Sequence, residues 1–219
     1  MKRSGEYMHN YLMMKNGNHE FSTITPEIYR LSQKCIENNL IDPQLYTKYD
    51  VKRGLRDING KGVLTGLTEI SEVFSFINNP DGTRTPQEGK LFYRGYDVED
   101  IVNGFTSENR FGFEEVAYLL LFGELPDRES LSDFEKLLNY YRTLPTGFVR
   151  DIIMKAPSRD IMNAMSRSVL TMYSYDSNAD DTSIPNVLRQ CLQLIALFPI
   201  FSVFSSKHRN TKSFIILSK

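Results

Sequence analysis

Three histidines, two cysteines and a few adjacent carboxylates are the side chains here that could move a proton, hold a metal or attack an electrophile. The histidines are His9, His19 and His208, and no two stand at the short spacing that lets a pair of imidazoles share one metal ion. No Ser-His-Asp set and no cluster of metal ligands is legible. His9 and His19 belong to a lead-in, residues 1–20, that reads as poorly ordered, where nothing would hold an imidazole within the roughly half-ångström tolerance of a catalytic site. His208 lies in Ser205-Ser206-Lys207-His208-Arg209-Asn210, which reads as a solvated basic turn after a buried helix. The stretch Gly54 to Gly66 is glycine-rich and contains Gly60-Lys61. A phosphate-binding loop, however, needs four residues between its first glycine and the Gly-Lys pair, then Ser or Thr. Five intervene here and Gly62 follows, so hairpin glycines are the better account. Glu99-Asp100 and Glu114-Glu115 could be imagined as acid and base, yet each pair falls in the first turn of an expected helix, where negative charge stabilises exposed N–H groups. Arg94, in Tyr93-Arg94-Gly95, is expected to form a structural salt bridge. No residue is assigned a catalytic, substrate-binding or metal-binding role, and no cofactor is implied by these residues.

The elements that would position such groups are mostly helices. Ile28, Leu31, Cys35 and Ile36 recur at helical spacing from Pro26 to Leu40, and Asn38-Asn39 then Pro43 stop the pattern. Between residues 54 and 95 the signals change to strands. Asn59-Gly60 separates Leu55-Arg56-Asp57-Ile58 from Gly62-Val63-Leu64-Thr65, and Pro80-Asp81-Gly82 separates Val73–Ile77 from Leu91-Phe92-Tyr93, both as hairpin turns. Asp97 is a good N-cap for a helix beginning at Val98. The block Phe113 to Phe122 ends at Gly123 with Pro126 beyond, the expected C-terminal punctuation. Leu131, Phe134, Leu137, Leu138 and Tyr141 mark another helix. A further one follows Pro157-Ser158, with Ile161, Met162, Met165, Val169, Leu170 and Tyr173 on one face. Asp176 to Thr182 is a loop, and Ser183 caps a last helix, Asn186 to Phe198, that is apolar nearly all round and so expected to be buried on most sides.

The composition excludes several partners. With 219 residues, 41% hydrophobic and a formal net charge of −1, the chain can bury a sizeable core and offers no field for a polyanion. Nucleic acid is therefore not an expected partner. Cys35 and Cys191, far apart in sequence, suit free buried thiols in a reducing compartment. The N-terminus lacks the continuous apolar run of a secretory signal, and Arg189, Gln190, Gln193 and Pro199 argue against a membrane span in Val187 to Phe204. A cytoplasmic protein is expected.

Several blocks in fixed order resemble the citrate synthase family. They are Gly54-Leu55-Arg56-Asp57, Gly62-Val63-Leu64-Thr65-Gly66-Leu67-Thr68, Gly89 to Val102, Phe113 to Pro126, Asp160-Ile161-Met162, Ser168-Val169-Leu170 and Tyr173-Ser174-Tyr175-Asp176, spread from about residue 40 to about residue 200. The resemblance implies a mostly α fold: residues 21–204 as part of a helical large domain, short β-hairpins near residues 54–95, and an atypical tail at 205–219 where the match fades after Pro199. It also implies an acyltransferase that joins acetyl-CoA, as co-substrate, to oxaloacetate with water, giving citrate and CoA. Family members use a carboxylate base, two histidines and carboxylate-gripping arginines, and form homodimers through large-domain helices. The segments bearing those histidines would lie beyond residue 219, so the chain is expected to be a truncated, inactive piece of such an enzyme; His208 is a weak parallel to a histidine-containing stretch of the family. Two alternatives stay open: a non-catalytic helical interaction subunit that pairs with a chain carrying the active site, and a fragment of the 2-methylcitrate synthase type, which takes propionyl-CoA.

Overall fold

The computed structural model describes residues 21–52 and 63–215, except for the side chains of residues 207–215. The chain divides into two compact units, residues 30–137 and residues 1–29 with 138–219. Helix α1, Pro26–Glu37, starts at a proline, whose missing N–H costs nothing at a helix start, and buries Ile28 and Leu31 as their spacing requires. A short helix α2, Pro43–Lys48, follows, its first turn capped by Asp42 Oδ1, which accepts from Gln44 N at 2.9 Å.

In the unit of residues 30–137 a three-stranded antiparallel sheet runs β1 (Ser71–Asn78), β2 (Arg84–Tyr93), β3 (Tyr96–Asp97), in that spatial order. The expected turn at Pro80-Asp81-Gly82 joins β1 and β2: Gly82 has φ +80, and Asp81 Oδ1 accepts from Thr83 N at 2.9 Å. Register runs Val73 to Leu91 and Phe74 to Lys90, then jumps to Phe76 opposite Pro86, so Gln87, Glu88 and Gly89 bulge opposite Ser75. This accommodates Pro86 within β2. The hairpin expected around Asn59-Gly60 lies largely outside the described residues. Its described portion, Val63-Leu64-Thr65, is not a strand, although Lys52 N donates to Leu64 O at 2.8 Å.

Asp97 caps helix α3, Val98–Ser107, by accepting from Glu99 N at 3.0 Å. Helix α4, Phe113–Phe122, ends at Gly123 with φ +79, a left-handed conformation that glycine adopts without Cβ strain. Helix α5, Arg128–Tyr141, presents Phe134 against Tyr118 and Phe122 of α4. The Tyr118–Phe134 rings meet edge-on at 5.4 Å and the Phe122–Phe134 rings at 5.8 Å, the geometry that the ring quadrupoles favour. Tyr118, Leu119, Phe122 and Phe134 are all buried.

In the other unit a π-helical turn, Val149–Met154, precedes helix α6, Ile161–Met172, whose N-cap Asp160 accepts from Met162 N at 2.9 Å. A 3-10 turn, Tyr173–Tyr175, and a loop lead into helix α7, Ile184–Ile215. The core here is Phe148, Ile153, Met172, Leu197 and Phe201, with Phe21 packed against it. One expectation for α7 is corrected: the helix does not stop at Phe198 but continues through Pro199. A proline inside a helix costs about 3 kcal/mol; burial of Phe201, one turn beyond Leu197, offsets that cost, and Phe201 stacks on Phe148 at 5.9 Å. Within Asn186–Phe198 only Val187 and Phe198 are exposed, so that stretch is covered on most sides as expected, whereas Ile184 and Val203 on its flanks are exposed. Ser183 does precede the helix and its carbonyl accepts from Val187 N, but its hydroxyl donates to Asp181. By length and composition Ile184–Ser206 could cross a membrane, with a mean hydropathy of 1.7.

Candidate functional site

Two polar assemblies stand out, one in each unit. The first closes the C-terminus of α4. A helix leaves its last four carbonyls without partners of its own, and here each is taken. Leu119 O accepts from Gly123 N at 2.8 Å, Leu120 O from Arg94 Nη2 at 3.0 Å, Leu121 O from Cys35 Sγ at 3.4 Å, and Phe122 O from Asn38 Nδ2 at 2.7 Å. Arg94 also donates to Asn38 O at 3.3 Å and to Asn39 Oδ1, while its buried Nε finds no partner among the described residues. The expected salt bridge of Arg94 is thus corrected: its partners are neutral carbonyl oxygens. The physical reason is the helix end, which carries partial negative charge and a ring of acceptors that a planar fork of donors fits.

Beside it, Lys34 donates to Tyr118 Oη at 2.8 Å and pairs with Glu124. Burial pulls the Lys34 pKa down, but the hydrogen bonds to Glu124 and Tyr118 outweigh it and leave the ammonium harder to deprotonate than usual. Asn38, Glu69, Arg94, Gly123 and Glu124 line a shallow cleft. It offers charge of both signs but no nucleophile, and its arginine is already engaged.

The second assembly surrounds Arg189 of α7, whose side chain is fully buried. All five of its N–H donors are used. Nη2 donates to Asp176 Oδ2 at 2.6 Å and Asn186 Oδ1 at 2.7 Å, Nε to Asn186 Oδ1 at 3.0 Å, and Nη1 to Gln193 Oε1 at 2.8 Å and Phe21 O at 2.6 Å. Gln193 Nε2 adds a bond to Phe21 O at 2.7 Å, and Gln190 Nε2 one to Asp176 Oδ2 at 3.1 Å. Burial alone would raise the Asp176 carboxyl; the hydrogen bond from Arg189, joined by those from Gln190, Asn178 and Ser22, wins and holds it below the usual carboxylate range. Sequence reasoning noted Asp176 and Arg189 separately and did not pair them. The signal was there: Asn186, Arg189, Gln190 and Gln193 fall at i, i+3, i+4 and i+7, a polar stripe on an otherwise apolar helix.

The remaining candidates fall as follows. Glu99 and Asp100 occupy the first turn of α3, and Glu114 and Glu115 that of α4. Glu115 is gripped by Arg110, Nη1 to Oε2 at 2.5 Å and Nη2 to Oε1 at 3.2 Å, a structural use. Cys35 and Cys191 form no disulfide among the described residues and are half-buried, and burial pushes the Cys191 thiol up, away from thiolate reactivity. His9, His19, the glycine-rich Gly54 to Lys61 stretch and the His208 side chain lie outside the described residues. Among the described residues no group of three or more His, Cys, Asp or Glu could hold a metal ion. Neither assembly pairs a general base with a donor across open space.

Known proteins give this geometry its context. The family described as "Citrate synthase, C-terminal domain" matches residues 55–218, well past Pro199, where the sequence resemblance was read as fading. The chain is 30% identical over 163 residues to 2-methylcitrate synthase 2 of Corynebacterium glutamicum, covering 74% of this chain and 37% of that protein. It is 35% identical over 133 residues to the citrate synthase of Haloferax volcanii, covering 60% of this chain and 29% of that one. The crystal structure of citrate synthase from Pyrobaculum aerophilum superposes with a TM-score of 0.54 at 23% identity, over 72% of this chain and 39% of that chain, which supports the fold. The chain therefore spans well under half the length of these relatives. On the extent of the family match, together with the helices and small sheet that carry the matched blocks, this chain belongs to the citrate synthase family.

Proposed function

We propose that this chain is a scaffold piece of a citrate synthase-type acyltransferase, with no turnover of acetyl-CoA and oxaloacetate by itself. The family reaction removes a weakly acidic proton alpha to a thioester and needs a partly desolvated carboxylate base with a donor placed on the developing enolate oxygen. The observation that carries this reading is how the polar groups are used. The five donors of Arg189 and the last four carbonyls of α4 are consumed inside the fold. That is what supporting elements do. The purified chain, given acetyl-CoA and oxaloacetate, is expected to release no CoA thiol above the rate without protein; robust release would overturn the proposal. A parallel arm with propionyl-CoA tests the finer alternative, favoured by the likeness to a 2-methylcitrate synthase.

A second reading, a non-catalytic helical subunit that pairs with a chain carrying the active site, draws on the exposed Phe198, Val203 and Phe204 of α7. Co-expression with a polypeptide supplying the rest of the family's length is expected to give a co-purifying complex under this reading. Self-association as a homodimer is proposed from the exposed Met162, Leu170 and Tyr173 in and just after α6. Two cysteines as thiols fit a cytoplasmic setting and the net charge of −1 argues against nucleic acid. Burial of the Arg189–Asp176 pair within the protein fits a core helix better than a bilayer span.

A further inference from the structure

The segment just before α1 is gripped in an unusual way. Phe21 O takes two donors, from Arg189 Nη1 and Gln193 Nε2. Ser22 Oγ accepts from Ser177 N at 2.7 Å, and Ser22 O from Asn178 Nδ2 at 3.1 Å. The Phe21 side chain packs against the cluster of Phe148, Ile153, Met172, Leu197 and Phe201. The segment nonetheless stays near the surface, with Phe21 and Ser22 half-buried and Thr23 exposed. Below it lies a guanidinium that is completely removed from water, balanced by one carboxylate.

Closing such a segment strips water from a charged group, which is costly unless every donor is met and the charge is paired. Opening it returns water to Arg189 and gives up one half-buried aromatic side chain. The two states are therefore nearer in free energy than a core helix is to its unfolded form, the condition for opening as a separate unit. We propose that residues 21–24 form a latch that opens apart from the rest of its unit, is held shut by the Arg189–Asp176 pair, and uncovers part of the Phe148–Leu197–Phe201 surface when it lifts.

Limited chymotrypsin digestion of the full chain, with mass spectrometry to locate each cut, tests the latch. Cleavage after Phe21 is expected to proceed while α7 stays intact, and Asp176→Asn is expected to speed that cut at least about tenfold more than it speeds cuts within α6 and α7. Equal acceleration at all sites, or none after Phe21, overturns the proposal. Should Asp176→Asn fail to fold, hydrogen exchange on the wild-type chain decides. The Ser177 amide, whose acceptor is Ser22 Oγ, is expected to exchange through an opening insensitive to low urea, whereas α7 amides at 188–197 follow global unfolding. If the Ser177 amide shares the urea dependence of those α7 amides, the latch does not exist.

Discussion

Gly123 ends α4 where a side chain would be doubly unwelcome, since its φ is +79 and an added Cβ would meet Asn38 Cβ at 3.0 Å. Gly123→Ala is expected to cost about 1–2 kcal/mol from the left-handed backbone alone, measured as a lower urea midpoint with an unchanged slope. Asp176 gives the pH prediction. Its carboxyl sits below the ordinary range when folded, chiefly because the bond from Arg189 outweighs burial. The unfolded chain therefore binds the proton first. The stability this supplies is complete above the ordinary carboxylate value, about pH 4, and is lost as pH falls through the lowered folded value. Asp176→Asn should remove that acid limb and, by leaving a buried charge unpaired, cost roughly 3–5 kcal/mol at neutral pH, read from denaturation curves at several pH values.

Among the elements, caps were legible and continuation was not. Asp97 before α3 and Gly123 after α4 were readable because each acts on its immediate neighbours, and both behave as their residue types dictate. Asp97→Ala is expected to lower stability by about 1 kcal/mol, seen as a drop in melting temperature with the helical signal otherwise retained. The path of α7 through Pro199 was hidden because its cause is tertiary: Phe201 and Phe148 come together from positions more than fifty residues apart. The same holds for Arg94. Its arginine type and strand-end position pointed to a carboxylate, but its acceptors are Leu120 O at a helix end 26 residues later and Asn38 O and Asn39 Oδ1 56 and 55 residues earlier, which no local spacing reveals. The Pro80-Asp81-Gly82 turn was clear because its Asp and Gly act on their immediate neighbours, whereas the Asn59-Gly60 turn lies outside the described residues.

On the scale of the molecule, family membership was legible because many short blocks kept their order, and the extent of the match was underestimated because the last helix lacks obvious caps. Leu170, 74% exposed on α6, gives a test of surface use. Leu170→Lys is expected to change stability by less than about 0.5 kcal/mol while abolishing the self-association proposed for this face, measured by light scattering across a concentration series. A fall in stability with no change in mass would argue that Leu170 serves the fold of the single chain instead.

The bond from Arg189 to the carbonyl of Phe21 joins residues 168 positions apart. At ribosomal rates of about 5–20 residues per second, Phe21 would wait roughly ten to thirty seconds for its guanidinium partner to be made. The contiguous stretch 30–137 has no such wait and can settle while translation proceeds. Fastening the two ends of the discontinuous unit must then wait until Arg189 has been made, and a nascent polypeptide stalled before it would carry an unclasped segment for quality-control factors to find.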